Sequence, residues 1–267
     1  MLKFISFGSS SSGNCYFLST ASDALIIDVG VGLRGLRKHC KDYGVQLSSV
    51  RRVLITHDHA DHIKSVGSFS YDYKVPVYAT KKVHHGIDHN YCITRKVADE
   101  MKMELVPNEQ VQLGDFLVKP VPVPHDASEN MGYEIQADGI TFVLLTDVGN
   151  ITDAIRESIS HAQYLVIEAN HDVEMLKNGP YPAYLKKRIV GGYGHLSNAL
   201  CGMALAENMS EQLKHVWLCH LSEENNHPEL ARKTVEAILR DHGIIPGKDL
   251  ELDVLRRQLP TGVFELE

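Results

Sequence analysis

Short apolar runs recur along the chain, and most of them have the length and the β-branched or aromatic content of β-strands. In the first half these runs follow one another with few helical segments between them. The dipeptide Asp138-Gly139, which is favoured in tight hairpin turns, separates two runs and predicts a hairpin. The predicted strands are Leu2–Phe7, Cys15–Thr20, Ala24–Asp28, Val53–Ile55, Val75–Ala79, a strand pair across Val111–Val123 around Gly114, and the hairpin strands Gly132–Gln136 and Thr141–Thr146.

Apolar residues at helical spacing predict helices, most of them in the second half. Gly32–Tyr43 carries Leu33, Leu36 and Cys40 at this spacing, and Gly44 supplies a stop signal. The mixture of consecutive early strands and later strand–helix alternation predicts sheets packed face to face with helices outside, a layered α/β arrangement. No linker-like stretch or short repeat divides the chain, so we expect a single domain over residues 1–267. The other predicted elements are the helices Ile151–Ser160, Ser197–Asn208 and Pro228–His242 and the strands Tyr164–Glu168 and Val216–Cys219.

Composition narrows the class of protein. The 267 residues are 43% hydrophobic and 23% charged, close to the average for soluble globular proteins, which excludes a disordered, collagen-like or coiled-coil chain. No apolar run approaches the roughly 20 residues that span a bilayer, and the first residues do not resemble a signal peptide. The five cysteines have no CxxC spacing and indicate reduced thiols. We therefore expect a cytoplasmic protein with no membrane partner.

Fifteen histidines are the unusual feature of the composition, and their densest cluster lies directly after the predicted strand Val53–Ile55. This cluster is His57-x-His59-x-Asp61-His62, which offers four potential metal ligands. Imidazole favours zinc, and a carboxylate also accepts manganese or iron. A polar loop with a chance histidine cluster is the alternative, but the HxHxDH pattern is far more demanding than a lone histidine pair.

Three further potential ligands, His125, Asp147 and His220, each come just after a predicted apolar strand. Any one of them alone would be an ordinary loop residue. The HxHxDH turn cannot complete two metal sites by itself, and these three residues occupy comparable strand ends. The seven residues together therefore favour a site for two metal ions.

These motifs make the chain resemble the metallo-β-lactamase fold superfamily over nearly its whole length. The resemblance implies a four-layer αββα sandwich that binds two metals at its open edge. It also implies that Asp28 supports the HxHxDH loop by hydrogen bonds, the alternative being an ordinary turn residue at a strand end. The implied ligands are His57, His59 and His125 for the first metal, Asp61, His62 and His220 for the second, and Asp147 as the bridge between them.

The chain departs from several branches of the superfamily, and these departures indicate which branch it resembles. His59 stands where the flavodiiron branch has glutamate, and no cysteine occupies the position of Asp147, as one does in common β-lactamases. Only one helix and a short tail are expected after His220, unlike glyoxalase II, and the chain has no room for the inserted domain of the β-CASP branch. What remains resembles the YycJ-like (WalJ) branch, related to ribonuclease Z and the PhnP-type phosphodiesterases, through the segments Gly8–Cys15, Ile167–Asp172 and His220–Asn226.

Three residues are candidates for catalysis. The segment Gly194–Ser197 resembles a ribonuclease Z segment in which a non-ligand histidine assists the leaving group. His195 would supply that charge or proton, because histidine titrates near neutrality. Glu168 could orient His195 or a metal-binding histidine, and Asp61 could also orient the attacking water. The structural alternatives are a histidine that packs at a helix entrance and an ordinary strand-end carboxylate.

Polar and basic segments supply candidate substrate contacts. The small side chains around Ser9 would let backbone amides approach a phosphate, or they form a tight turn between strands. Ser222, Asn225 and Asn226 could bind substrate phosphate or merely shape their loop. A basic segment could contact a nucleic-acid backbone, or it is a solvated helix face. That segment contains Lys177, Lys186, Lys187 and Arg188, with Tyr181 and Tyr184 interleaved. A second histidine cluster, expected at the surface or facing substrate, contains His84, His85 and His89.

The resemblance implies an enzyme, a dinuclear metal-dependent hydrolase of phosphodiester bonds. The expected activity is that of a 5′→3′ DNA exonuclease that uses a hydroxide bridging the two metals. A phosphodiesterase of small or cyclic nucleotides and a non-catalytic metal-binding regulatory module are the alternatives. The net charge of −7 argues against a dedicated nucleic-acid coat, but two divalent ions would add positive charge where a phosphate must arrive. Zn²⁺ or Mn²⁺ is the expected ion, Fe²⁺ can occupy the same geometry, DNA is the expected partner, and the oligomeric state stays open.

Overall fold

The structure, a computed structural model, describes residues 1–267 and is built from fourteen strands and nine α-helices. The strands are β1 (Leu2–Gly8), β2 (Cys15–Ser19), β3 (Ala24–Ile27), β4 (Val50–Leu54), β5 (Val77–Ala79), β6 (Lys102–Glu104), β7 (Val111–Leu113), β8 (Phe116–Pro122), β9 (Met131–Ala137), β10 (Ile140–Leu145), β11 (Tyr164–Glu168), β12 (His215–Cys219), β13 (Glu251–Val254) and β14 (Thr261–Leu266). The helices are α1 (Leu33–Asp42), α2 (Ala60–Ile63), α3 (Val66–Tyr73), α4 (Lys81–His89), α5 (Asp153–His161), α6 (Val173–Asn178), α7 (Ala183–Ile189), α8 (Asn198–Asn208) and α9 (Pro228–Asp241).

The strands form two seven-stranded mixed sheets. The first has the order β14-β1-β2-β3-β4-β5-β6, and its strands from β3 to β6 run parallel. The second has the order β13-β12-β11-β10-β9-β8-β7, and its strands from β10 to β13 run parallel. Parallel strands place their carboxyl ends at one edge of a sheet, so residues that follow them in sequence gather at that edge.

Three apolar clusters show that the two sheets face each other between outer helices. The central cluster joins both sheets, with the ring of Phe4 4.9 Å from that of Trp217. Side chains alternate along each strand, so Leu25 and Ile27 enter this central cluster whereas Ile26 packs on the outer side. Helices α1, α3 and α4 cover the outer face of the first sheet, and α5, α8 and α9 cover that of the second. The predicted four-layer αββα sandwich is confirmed.

Local sequence explains the longest helix. Pro228 begins α9, where its fixed φ angle suits the first turn and its missing N–H is not needed. Ala231, Val235 and Leu239 then recur every four residues and pack on the second sheet. Gly243, at φ +82°, directly follows the C-cap and ends the helix. No helix of the structure combines the length and hydropathy that crossing a membrane requires.

The sequence predicted most strands and the long helices within a few residues, but it missed the shorter elements. The helices α2, α3, α4, α6 and α7 and the strand β6 were not among the predicted elements, because their apolar residues are too few to show a clear period. The short tail expected after the last helix contains two strands instead. The strand β14 lies at the sheet edge and only its Leu266 is buried, so its sequence lacks the apolar run of a buried strand.

Candidate metal centre

The seven predicted ligands meet at the edge of the sandwich where the parallel strands end. The HxHxDH segment leaves β4 and leads into α2, while the other three ligands come from the second sheet. Two hydrogen bonds from the second sheet hold the residues just before this segment. The hydroxyl of Tyr133 donates to the carbonyl of Ile55 over 2.6 Å, and the N–H of Met131 donates to the carbonyl of Thr56 over 3.0 Å. Side-chain N and O atoms from the seven residues form groups in which all atoms lie within 4.8 Å of one another.

The first group contains His57, His59 and His125. Nδ1 of His59 lies 3.3 Å from Nε2 of His125, whose own Nδ1 donates to the carbonyl of Gly194 over 3.0 Å. Nε2 of His57 is buried and has no hydrogen-bond partner, which is costly for a polar atom unless something else binds it. A divalent cation among these three nitrogens would supply that partner, so the group fits a metal.

The second group contains Asp61, His62 and His220. Oδ2 of Asp61 lies 3.5 Å from Nε2 of His62 and 3.4 Å from Nε2 of His220. Buried carboxylates hold the other nitrogen of each ring: Asp28 contacts Nδ1 of His62 at 2.7 Å, and Glu168 contacts Nδ1 of His220 at 3.1 Å. A carboxylate that accepts from Nδ1 leaves Nε2 free to bind a metal, an arrangement typical of metal-binding histidines.

Asp147 lies between the two groups. Its Oδ2 is 3.2 Å from Nε2 of His62, and its Oδ1 is 3.7 Å from Nε2 of His125 and 3.6 Å from Nε2 of His220. Asp147 thus presents its oxygens to both groups, as its predicted bridging role requires.

Three of the site residues have a strained backbone. Asp28, Asp147 and His220 have φ values of 61°, 53° and 53°, in the left-handed region that non-glycine residues seldom adopt. Such conformations cost roughly 1–3 kcal/mol each and concentrate at functional sites. Asp28 and His220 follow a strand end directly and Asp147 follows one by two residues, and the sharp turn there directs each side chain into the centre.

The carboxylates of the centre control the charge of the histidines. Burial alone would lower the pKa of His62, but Asp147, Asp28 and Asp61 raise it to about 10. For His57 the result is opposite, because burial lowers its pKa well below the usual value and the neighbouring carboxylate only partly offsets this. His57 is therefore neutral at physiological pH, the form in which imidazole binds a metal.

His195 and Glu168 adjoin the centre. Nδ1 of His195 lies 2.8 Å from Oε1 of Glu168 and 3.7 Å from Oδ1 of Asp147. The side chain of His195 is 18% exposed, and its ring stacks on that of His220 at 5.4 Å. Burial would raise the pKa of Glu168, but the charge and hydrogen bond of His195 lower it to about 2. Glu168 thus contacts both His195 and His220, as the sequence suggested for a carboxylate that orients histidines.

Of the four predicted substrate residues, the structure leaves one partly exposed. Ser9 is fully buried, where its oxygen accepts the backbone N–H of His220 over 2.9 Å. Asn226 is also buried and donates to backbone carbonyls, and Asn225 packs against Ser222, whose oxygen accepts the Asn225 N–H over 3.2 Å. These positions favour the loop-shaping alternative for the side chains of Ser9, Asn225 and Asn226, whose substrate role is untested. The substrate role of the half-buried Ser222 stays a prediction.

Asn14 is a site residue that the sequence did not single out. Its Nδ2 lies 2.9 Å from Nε2 of His62 and 3.4 Å from Oδ2 of Asp61, and the hydroxyl of Tyr16 donates to its Oδ1 over 3.2 Å. The only signal was its place in Gly8–Cys15, one of the segments that carried the resemblance.

Asp58 was also missed, although it lies inside the HxHxDH segment. Its carboxylate accepts hydrogen bonds from the backbone N–H and the hydroxyl of Ser128, at 3.1 and 2.6 Å. Asp58 therefore ties the loop of His57 and His59 to the loop that carries His125.

The basic segment is only partly free to contact a substrate. Lys186 donates to the backbone carbonyls of Lys177 and Gly179, both at 2.7 Å. Arg188 forms a two-pronged ion pair with Asp126, the residue after His125. Lys177 and Lys187 are exposed, as is Tyr184.

The second histidine cluster divides in two. His85 and His89 are exposed as expected, with ring centroids 4.1 Å apart on α4. His84 is buried instead, and its Nε2 contacts the carbonyl of Met103 at 3.0 Å. Its expected position at the surface was wrong, because α4 turns this residue towards β6.

The fold and the ligand geometry define a metallo-hydrolase of the β-lactamase superfamily, and the chain belongs to that superfamily: its domain model matches residues 24–220. The predicted enzyme class, a metal-dependent hydrolase, is confirmed. The exodeoxyribonuclease YycJ of Bacillus anthracis is 32% identical over 262 residues, which cover 98% of both chains. The exodeoxyribonuclease WalJ of Streptococcus pneumoniae is 32% identical over 250 residues, covering 94% of this chain and 93% of that protein. These relatives confirm the predicted YycJ-like branch.

Solved structures agree on the fold. The metallo-β-lactamase fold protein YhfI from Bacillus subtilis superposes with a TM-score of 0.71 at 15% identity, covering 98% of each chain.

Proposed function

We propose that this protein is a dinuclear metal-dependent exodeoxyribonuclease that degrades DNA from the 5′ end towards the 3′ end. The observation that carries the proposal is the pair of ligand groups that share Asp147, with the buried Nε2 of His57 left without a protein partner. Relatives named as exodeoxyribonucleases match nearly the whole chain, which supports DNA as the substrate.

In this proposal the two groups hold one divalent ion each. His57, His59 and His125 would bind the first, and the second would lie among the ligands of the other group, Asp61, His62 and His220, with Asp147 between the two. The donor set of imidazoles and carboxylates suits Zn²⁺, Mn²⁺ or Fe²⁺. Such ions, when bound, activate water and neutralise the charge that builds up on phosphoryl oxygens.

The chain's own residues orient and protonate the reacting groups. Asp61 lies at the mouth of the second group, where its free oxygen can orient the attacking water. His195 is partly exposed beside the centre and would donate a proton to the departing oxygen of the phosphodiester. Glu168, fully buried, fixes the ring of His195 through its Nδ1, so we assign Glu168 a positioning role.

One observation favours a second candidate, a phosphodiesterase of small or cyclic nucleotides. Lys186 and Arg188 are held by backbone carbonyls and by Asp126, so little free positive charge adjoins the centre. The net charge of −7 points the same way.

An assay of purified, metal-loaded protein separates the two candidates. We expect it to release mononucleotides from DNA labelled at the 5′ end before it releases the 3′ label, and to act poorly on RNA. Chelation of the metals should stop the reaction. Release of the 3′ label first would reverse the proposed direction, and hydrolysis of bis(p-nitrophenyl) phosphate or a cyclic nucleotide without cleavage of DNA would favour the second candidate.

Two broader proposals accompany the activity. We propose that residues 1–267 act as one hydrolase domain, because the C-terminal strand β14 pairs with the N-terminal strand β1. We also propose a cytoplasmic location, since all five cysteines are free thiols and four of them are buried in the core.

A further inference from the structure

A cleft of about 520 Å³ opens beside the first ligand group, and His125 forms part of its wall. Its other lining residues include prolines and small apolar side chains, among them Pro122, Pro124 and Ala154, together with Tyr193. The polar residues of the lining are Ser128, Glu129, Asn130 and Thr152. Its volume lies in the range of small-molecule sites, about 300–1,000 Å³. Because a proposed metal ligand lines the cleft, a group attached to a phosphate at the metals can extend into it.

Tyr193 presents a large ring to solvent at this cleft, with 68% of its surface exposed. Its loop is nevertheless fixed. A side chain at Gly149 would meet the carbonyl of Gly192 and the Cα of Tyr193 at 2.6 Å, so the two backbones are in direct contact there. On the other side the carbonyl of Gly194 accepts the hydrogen bond from His125. The backbone of Tyr193 is therefore fixed between the loop that follows Asp147 and the ring of His125, while its own ring stays exposed. An exposed ring does not contribute to the apolar core.

We propose that this cleft binds a nucleobase of the substrate, which stacks on Tyr193 while the attached phosphate lies at the metal centre. The inference rests on the proposed function and names a contact that would hold the terminal nucleotide. Stacking suits this site because every base has an aromatic face, so a nuclease gains affinity without a fixed sequence preference. The prolines that line the same cleft provide further apolar surface for this flat group.

Binding of small phosphates to the metal-loaded protein tests the cleft without any DNA cleavage. We expect deoxyadenosine 5′-monophosphate to bind about 5- to 150-fold more tightly than 2-deoxyribose 5-phosphate, the range that one stacked base supplies. Tyr193→Ala should remove this difference and leave the affinity for the sugar phosphate unchanged, whereas Tyr193→Phe should retain it. Tyr71→Ala is the matched control, because Tyr71 is also exposed but packs on Arg95 and does not line the cleft.

Cleavage of oligonucleotides provides the second measurement. An abasic residue at the attacked end should raise KM for the wild type and for Tyr71→Ala but not for Tyr193→Ala. Equal binding of the two phosphates by the wild type, or a base preference that survives in Tyr193→Ala, would overturn the inference while leaving a nuclease activity intact. A wild type that binds the mononucleotide preferentially but leaves DNA uncut would instead refute the proposed function and retain the base-binding cleft.

Discussion

Nδ1 of His195 lies 2.8 Å from Oε1 of Glu168, and the other oxygen of that buried carboxylate accepts the backbone N–H groups of Val148 and Leu196. Glu168 is thereby fixed by two strand-end loops, and it fixes His195 in turn. The His195 ring has one nitrogen engaged and is partly exposed, which suits a group that gives a proton to a substrate. The same residue also lies within 4.8 Å of Asp147 and His220, close enough to be a ligand.

Replacement of His195 decides between these two roles. For His195→Ala we expect kcat to fall roughly 10²–10⁴-fold, the usual contribution of a general acid or base, while both metals stay bound. The measurements are steady-state kinetics on DNA and metal content by elemental analysis. Loss of a metal equivalent from His195→Ala would identify the residue as a ligand instead.

Replacement of Asp61 should affect both activity and metal. Asp61 contacts His62 and His220 through one oxygen, and Asp61→Ala removes the only carboxylate of the second group. We expect turnover to be abolished and metal content to fall. Asp241→Ala, which removes an exposed carboxylate at the end of α9, is the control and should change neither. A fully loaded but inactive Asp61→Ala protein would limit Asp61 to orienting water.

The convergence of the seven candidate ligands could be predicted because it depends on local patterns. His125, Asp147 and His220 each follow an apolar strand, and strand ends of one layered fold converge. The contacts that were missed depend on tertiary structure: Asn14 reaches His62 only because β1 and β2 bring the Ser-rich loop under α2. For Ser9 the sequence pattern was ambiguous. A small residue in such a loop gives the same pattern whether it faces a substrate or, as here, accepts a hydrogen bond from the backbone of His220.

Metal binding should release protons at neutral pH. Burial opposes protonation of His62 and His220, yet the neighbouring carboxylates raise the pKa of His62 to about 10 and that of His220 well above its usual value. Both rings are therefore protonated at pH 7 in the metal-free protein, and each must lose its proton to bind a metal. The apparent metal affinity should rise as the pH increases from 7 towards 10.

Calorimetric titration with metal in buffers of different ionisation enthalpy measures this release. Asp28→Asn removes one of the carboxylates that raise the pKa of His62, so this variant should release fewer protons than the wild type at pH 7. A heat of binding that is the same in all buffers would show that the rings are already neutral before the metal arrives.

A buried chain of hydrogen bonds supports Asn14. The N–H of His220 donates to Ser9, the hydroxyls of Ser9 and Tyr16 lie 3.0 Å apart, and Tyr16 donates to Asn14. Tyr16→Phe leaves buried partners unsatisfied, so the free energy of unfolding should fall by about 1–3 kcal/mol. Because the amide of Asn14 would lose its fixed orientation beside His62, metal affinity should fall as well.

Thermal unfolding and metal titration of Tyr16→Phe test both effects. The control is Tyr164→Phe, which removes a hydroxyl that donates to the carbonyl of Glu267 at the opposite end of β11 from Glu168. Tyr164→Phe should lose some stability and keep its metal affinity. If Tyr16→Phe also loses stability and keeps its metal affinity, the chain of hydrogen bonds stabilises the fold without affecting metal binding.

The basic segment should contribute unequally to DNA binding. Lys187 is exposed and unengaged, whereas Lys186 is occupied by two backbone carbonyls and Arg188 by its ion pair with Asp126. Each phosphate contact that is lost reduces the slope of log affinity against log salt by about one. We expect Lys187→Ala to weaken DNA cleavage and reduce this slope, with hydrolysis of a small phosphodiester little changed. Lys186→Ala and Arg188→Ala should lower stability and leave the slope unaltered, so an equal slope change in all three variants would contradict the assignment.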